Sequence, residues 1–199
     1  MKIYDISQEL LSSKVFDCDP IPRTRRVKSM EDGELYNLTE LSMCVHNGTH
    51  IDAPRHFIRD GADVASVSLE RTVGFAFVAE CECDITASVA GEILARARSL
   101  NPSAALRLLI KGNAVLLIDG ARVFAEEGVC LVGVESQSVG DENAPMAVHI
   151  ILLESEVVLL EGLRLNEVGE GVYFLAAQPL SIKNSDGAPT RAILIEGLC

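Results

Sequence analysis

The stretch His46-Asn47-Gly48-Thr49-His50-Ile51-Asp52-Ala53-Pro54-Arg55-His56 constrains the fold more than any other part of the chain. It holds three of the four histidines in the 199-residue sequence. Gly48 and Pro54 exclude a regular helix across it. In extended backbone His50 and Asp52, two apart, point to one face. Gly48 lets the chain turn so that His46 and His50 converge, with His46 closing the preceding strand. Pro54 stiffens the exit on which His56 stands. Imidazole and carboxylate are the usual ligands of zinc and similar divalent ions where thiolates are not used. One loop histidine alone is ordinarily incidental. Three with an aspartate in eleven residues point to a shared cation, on a rigid and reachable loop leaving a buried strand.

The rest of the pattern frames that loop with alternating strands and short helices. Lys2–Ser7 reads as an opening strand, and residues 17–34 as loop with one short strand at most. Leu35–His46 alternates in polarity and reads as a half-buried strand. Thr72–Asp84 is a strand, Ser88–Leu100 has helical spacing, and Ala114–Ile118 reads as a short buried strand. Ala121–Glu127 reads as helix, Val129–Glu135 as strand and Pro145–Leu153 as a short helix carrying His149. Val157–Leu160 is a buried strand ending at Glu161, and Val172–Ala177 and Ala192–Glu196 close the chain. The alternation predicts a mixed α/β fold in one domain, residues 1–199.

Charge excludes some partners. Lys and Arg number 17 against 29 Asp and Glu, a net of −12. Residues 61–199 carry nine basic and nineteen acidic side chains of that total. Such a surface repels nucleic acid and anionic membranes, and no apolar run reaches the roughly 18 residues of a membrane span. The opening Met1-Lys2-Ile3-Tyr4-Asp5 lacks the apolar core of a signal peptide. The six cysteines form no CxxC pair and are expected to be reduced thiols, so a cytoplasmic location is expected. A mean hydropathy of +0.25 hints at a buried interface between copies.

His149 stands apart, among Met146, Ala147, Val148, Ile150 and Ile151. From the residues alone it is as well explained as a satisfied core histidine as a ligand. Glu161, twelve residues on, must be at an edge, paired, or bound to a cation.

The stretch from His46 to His56 resembles the H-x-G-T-H-x-D-x-P-x-H signature of the cyclase family, which includes bacterial kynurenine formamidases and isatin hydrolases. Asp5-Ile6-Ser7, the His149 to Glu161 spacing and Asp186-Gly187-Ala188-Pro189-Thr190-Arg191 resemble the family as well. The resemblance implies a swivelling β/β/α domain assembled as a dimer or tetramer. It implies His46, His50 and Asp52 as metal ligands, with Asp52 bridging to a second ion held by His149 and Glu161. It makes His56 the catalytic acid/base, and zinc the expected metal with manganese as the alternative. Glu154 and Glu156 lack the family spacing and are expected at the surface.

The implied activity is hydrolysis of a small amide by metal-activated water, with an arylformamidase acting on N-formylkynurenine as the nearest name. The alternatives are a hydrolase of a lactone, imide or isatin-like lactam, and a non-catalytic module binding metal or a small acid. A binding module has no use for His56. The chain departs from the family at Asp17-Cys18-Asp19-Pro20, at Ile118-Asp119-Gly120 and at Gly133-Val134-Glu135-Ser136-Gln137-Ser138. It has no tryptophan, so an aromatic wall for a small-molecule substrate falls to Phe16 or Phe57.

Overall fold

A computed structural model describes residues 1–141 and 145–198, and of residue 145 the backbone alone. In chain order its elements are β1 (Lys2–Asp5), β2 (Arg23–Lys28), β3 (Leu38–Ser42), β4 (His50–Asp52), α1 (Leu69–Thr72), β5 (Val73–Glu80), α2 (Ala87–Leu100), β6 (Arg107–Lys111), α3 (Ile118–Glu126), β7 (Leu131–Val134), α4 (Pro145–Glu154), β8 (Val158–Glu161), β9 (Gly171–Ala176), β10 (Gly187–Pro189) and β11 (Ile193–Glu196). Among the described residues nine strands form one sheet in the order β1-β11-β9-β5-β6-β7-β8-β4-β10, while β2 and β3 pair only with each other.

The centre of the sheet is parallel, from β5 through β6 and β7 to β8, and the flanks are antiparallel. Helices α2, α3 and α4 make the crossovers that parallel neighbours require. This is the mixed α/β class the alternation predicts. Strands buried on both faces read as continuous apolar runs, as Leu108-Leu109-Ile110 and Val158-Leu159-Leu160 do. One face of the sheet (Phe77, Ala79, Leu108, Ile110, Val132, Leu159) packs on Ile93 and Leu94 of α2, Phe124 of α3 and Leu152 of α4. The other face (Ala76, Val78, Leu109, Leu131, Leu160) packs on Ile51, Leu175 and Leu194, side chains of the same sheet. The sheet therefore curls over on itself. Helix α2 starts where the Thr86 side chain accepts the Val89 N–H, and it ends at Asn101, before Pro102.

The curl is tied where the sheet's ends meet. The Ile6 N–H donates to Ala192 O, and Ile6 O accepts from the Arg164 N–H. The Gln8 N–H donates to Thr49 Oγ1 at 2.9 Å, and that hydroxyl donates to Gly162 O at 2.7 Å. The first residues after β1 are thus bonded to the loop before β4 and the turn after β8.

Three expectations are corrected. Ala114–Ile118 is not a strand: it makes one bridge, Ile85 to Leu116, and α3 already starts at Ile118. The central strand is β6, whose three-residue apolar run Leu108-Leu109-Ile110 is clipped by Arg107 and Lys111. Leu35–His46 is not half-buried. Only Leu38–Ser42 is strand and every residue of it is exposed, while Met43 and Val45 of the apolar parity, beyond the strand, are partly buried. His46 accordingly closes no strand. It lies in a turn where the Cys44 N–H donates to Asn47 Oδ1 at 2.8 Å.

Cys18, Cys44, Cys81, Cys83 and Cys130 are free thiols, and Cys199 lies outside the described residues. Among the described residues no helix is long and apolar enough to cross a membrane.

Gly162 is the tightest point of the tie. Its φ is +71°, and a Cβ there would lie 2.4 Å from Gln8 Nε2 and 2.5 Å from Gly48 O. Gly162→Ala is expected to lose at least about 2 kcal/mol of stability, from left-handed strain plus overpacking against backbone. Urea unfolding of the purified variant checks this.

Candidate active site

Strand β4 is three residues long and fully buried, with a partner on each side. Its register against β8 sets His50 opposite Glu161, and its register against β10 sets Asp52 opposite Gly187. Directly opposed residues share a face, so His50 and Glu161 project together, with Asp52 beside them. The turn before β4 brings in His46, the 3₁₀ turn after it (Pro54–His56) brings in His56, and α4 brings in His149. All four histidines reach Asp52. Its Oδ1 lies 2.8 Å from His46 Nδ1 and 3.4 Å from His50 Nε2. Its Oδ2 lies 3.7 Å from His149 Nε2 and 4.0 Å from His56 Nε2. Glu161 stands 3.3 Å from both His50 Nε2 and His149 Nε2. Every site residue read from the sequence is therefore in one cluster, and Glu154 and Glu156 are at the surface.

The cluster is rich in acceptors and short of donors. His50 Nδ1 lies 3.0 Å from Gly48 O, which can only accept, so Nδ1 carries the proton and Nε2 turns a lone pair to the carboxylates. His46 stands between two carboxylates, with Nε2 2.7 Å from Asp186 Oδ2 and Nδ1 2.8 Å from Asp52 Oδ1. Asp52 Oδ2 is one of two buried side-chain polar atoms among the described residues without a hydrogen-bond partner. Lone pairs meeting lone pairs in a buried site call for a cation, either protons or a metal. His46, His50 and Asp52 offer donor atoms within 4.8 Å of one another, as do Asp52, His56 and His149. Imidazoles and carboxylates converging without thiolate fit a divalent ion such as zinc or manganese.

Neighbouring groups hold the donors in place. Gln137 Nε2 donates to Gly48 O at 2.7 Å and to His46 O at 3.1 Å, steadying the turn. The Val139 N–H donates to Glu161 Oε1 at 2.7 Å. Asp186, just before β10, was not among the residues read as site. The sequence presents it only as part of a closing turn, 140 residues from His46 in the chain. The signal that could have found it is a carboxylate followed by Gly187, where a Cβ would sit 2.8 Å from His46 Cε1 and 2.7 Å from Ile51 O. A chain with no room for a methyl there is pressed against the site.

The electrostatics follow. Burial opposes charging of His50, but Asp52 and Glu161 outweigh it and raise its pKa to about 10. Burial also opposes charge on His46, and the hydrogen bond and charge of Asp52 again overcome it, raising the pKa. Burial works against the Asp52 carboxylate as well, yet its bonds to His46 and His50 hold its pKa far below the carboxylate range. His56 moves the other way. Burial lowers its pKa, and Asp52 does not offset that burial together with the repulsion of His46 and His149. His56 is thus neutral near pH 7 and able to accept a proton. A cavity of about 290 Å³ opens on the cluster, lined also by Phe16, Asp19, Phe57, Gln137 and Ser138.

The putative cyclase family model matches residues 4–141. A kynurenine formamidase from Erythrobacter litoralis is 32% identical over 208 aligned residues, covering 98% of this chain and 94% of that protein. A solved structure described as a potential metal-dependent hydrolase with cyclase activity superposes with a TM-score of 0.77 at 27% identity, over 97% of this chain and 96% of its own. An isatin hydrolase bound to thioisatinate superposes at 0.86 with 17% identity, over 99% and 93%. That last likeness is one of fold.

The raised pKa values of His46 and His50 give a sign to metal binding. Without metal, His50 keeps its second proton from below pH 6.5 up to about pH 10, and an ion must displace it. Zinc binding at pH 7.5 is expected to release at least about one proton, and affinity is expected to rise with pH. Calorimetry in buffers of different ionisation enthalpy measures the release, and identical enthalpies in all buffers would contradict it.

Proposed function

The chain belongs to the putative cyclase family, and from that premise we propose that it is a metal-dependent hydrolase of small amides, with an N-formyl aryl amine as substrate. The observation that carries the reading is the acceptor-only cluster around Asp52, with a neutral imidazole, His56, beside it. The names of the kynurenine formamidase relative and of the metal-dependent hydrolase structure support the same class. His46, His50 and Asp52 would hold one ion, and His149 and Glu161, sharing Asp52, a second. Zinc is the first expectation and manganese the alternative. When bound, a divalent ion in such a site lowers the pKa of water toward neutrality and polarises a carbonyl oxygen.

The protein's own groups do the remaining work. The side chain of His56 is 28% exposed, at the boundary between the cluster and the cavity. Its lone pair takes a proton from the attacking water and returns it to the leaving nitrogen, so that an amide and water give an acid and an amine. Phe57 packs edge-on against His56, with ring centroids 4.5 Å apart, and limits its rotation. Phe16 and Phe57 give the cavity aromatic walls suited to an aryl ring, and the small volume suits a small substrate. The acidic surface disfavours nucleic acid and anionic membranes as partners and leaves a small molecule, and the family resemblance is the ground for expecting a dimer or tetramer.

His50→Ala is expected to lose most of its bound zinc by metal analysis, and equal, near-zero metal in variant and wild type would sink the proposal. His56→Ala is expected to keep its metal and lose about 10²- to 10⁴-fold in kcat, the usual contribution of general acid–base catalysis. Rates on N-formylkynurenine, isatin and simple lactones identify the bond cleaved.

A further inference from the structure

One carboxylate oxygen outside the cluster faces two of its imidazoles. Asp186 Oδ2 lies 2.7 Å from His46 Nε2 and 3.4 Å from His56 Nδ1. The two rings lie nearly over one another, with centroids 4.2 Å apart and planes 34° from parallel. Asp186 is held by its backbone rather than by chance. Its carbonyl accepts the Ala53 N–H at 2.9 Å, and Gly187 behind it abuts the His46 ring and Ile51 O. The carboxylate thus arrives from β10 at the two histidines that stand before and after β4.

We infer that Asp186 is a positioning residue that fixes the tautomers of His46 and His56 together. Accepting the Nε2–H of His46 directs that ring's Nδ1 lone pair toward Asp52, where the ion would be held. Accepting the Nδ1–H of His56 directs the Nε2 lone pair toward Asp52 Oδ2, 4.0 Å away, at the edge of the cluster on which the cavity opens and where a proton is taken up. The 3.4 Å contact to His56 is longer than the 2.7 Å hydrogen bond to His46, so the hold on His56 is the weaker of the two. The carboxylate is 44% exposed, so solvent screens it and its effect is moderate. The inference rests on the hydrolase reading for His56 but not for His46.

Asp186→Asn keeps the shape and removes the charge. Titrated with zinc against a competing chelator, the variant is expected to bind roughly 10-fold more weakly than wild type. In ¹⁵N imidazole spectra of the zinc-loaded protein, His56 is expected as one tautomer protonated at Nδ1 in wild type and as a mixture in the variant. A change in only one of these two readouts, or in neither, overturns the shared role. On an amide substrate kcat is expected to fall roughly 10- to 100-fold with KM within about 3-fold. Placed on His56→Ala, Asp186→Asn is expected to cause no further loss of kcat, and an equal loss there would make the role merely structural and overturn the inference. Asp186→Ser replaces it in every arm if the thermal midpoint of Asp186→Asn drops by more than about 10 °C. If wild type hydrolyses none of the amides, the hydrolase reading fails, while the zinc and spectral arms still decide the role of Asp186.

Discussion

Asp52 is the constraint on which the rest depends. It is an aspartate 0% exposed, ionised, approached by every histidine of the chain, with one oxygen left without a hydrogen-bond partner. A carboxylate in that position is tenable only with positive charge beside it. Each neighbouring imidazole could supply a proton, but the backbone carbonyl of Gly48 and the carboxylate of Asp186 already use one nitrogen of His50 and of His46. The remaining nitrogens of both rings face Asp52, where either a second proton on each or a shared metal ion supplies the positive charge. The same arrangement that makes the interior costly without an ion makes it a strong site with one.

The fold exists around that centre because no short segment can supply it. The donors come from the β3–β4 turn, β4, the 3₁₀ turn after it, α4 and the end of β8. The curled sheet brings these together, and the bonds among Gln8, Thr49, Gln137 and Gly162 lock the closure. Those bonds link the chain's opening residues to the turn that ends at His50, so stability and site geometry share the same atoms. The helices pack on the same face of the sheet that carries the site, and α4 contributes His149 to it: their apolar burial supports a strand pair whose own buried side chains on that face are polar.

Much of this was legible in the chain. The three histidines and Asp52 within eleven residues, with Gly48 and Pro54 barring a helix, announce extended backbone presenting ligands. Glu161 at the end of an apolar run announces itself as a carboxylate needing a partner, and β8 pairs it with His50 as that need demands. Other features were hidden for physical reasons. Asp186 acts through contacts 130 and 140 residues distant in the chain, and local pattern carries no such information. Strand β6 has too few apolar residues between Arg107 and Lys111 to outweigh the longer run at 114–118, which the structure spends on leading into α3. The alternation of Leu35–His46 is genuine, but periodicity records which residues share a face and is silent about whether anything packs on it.

The shortness of β4 carries a consequence of its own. With three residues paired on both edges, a slip of one position would turn Ile51 into the polar cluster and drive His50 and Asp52 into the apolar layer. Intermediate arrangements do not exist, because a strand's faces alternate strictly. An ion with affinity only for the correct alignment would add its binding free energy to that register and to no other. Occupancy of such a centre would then be a certificate of register, since only a molecule with these strands in the right places could offer the full donor set.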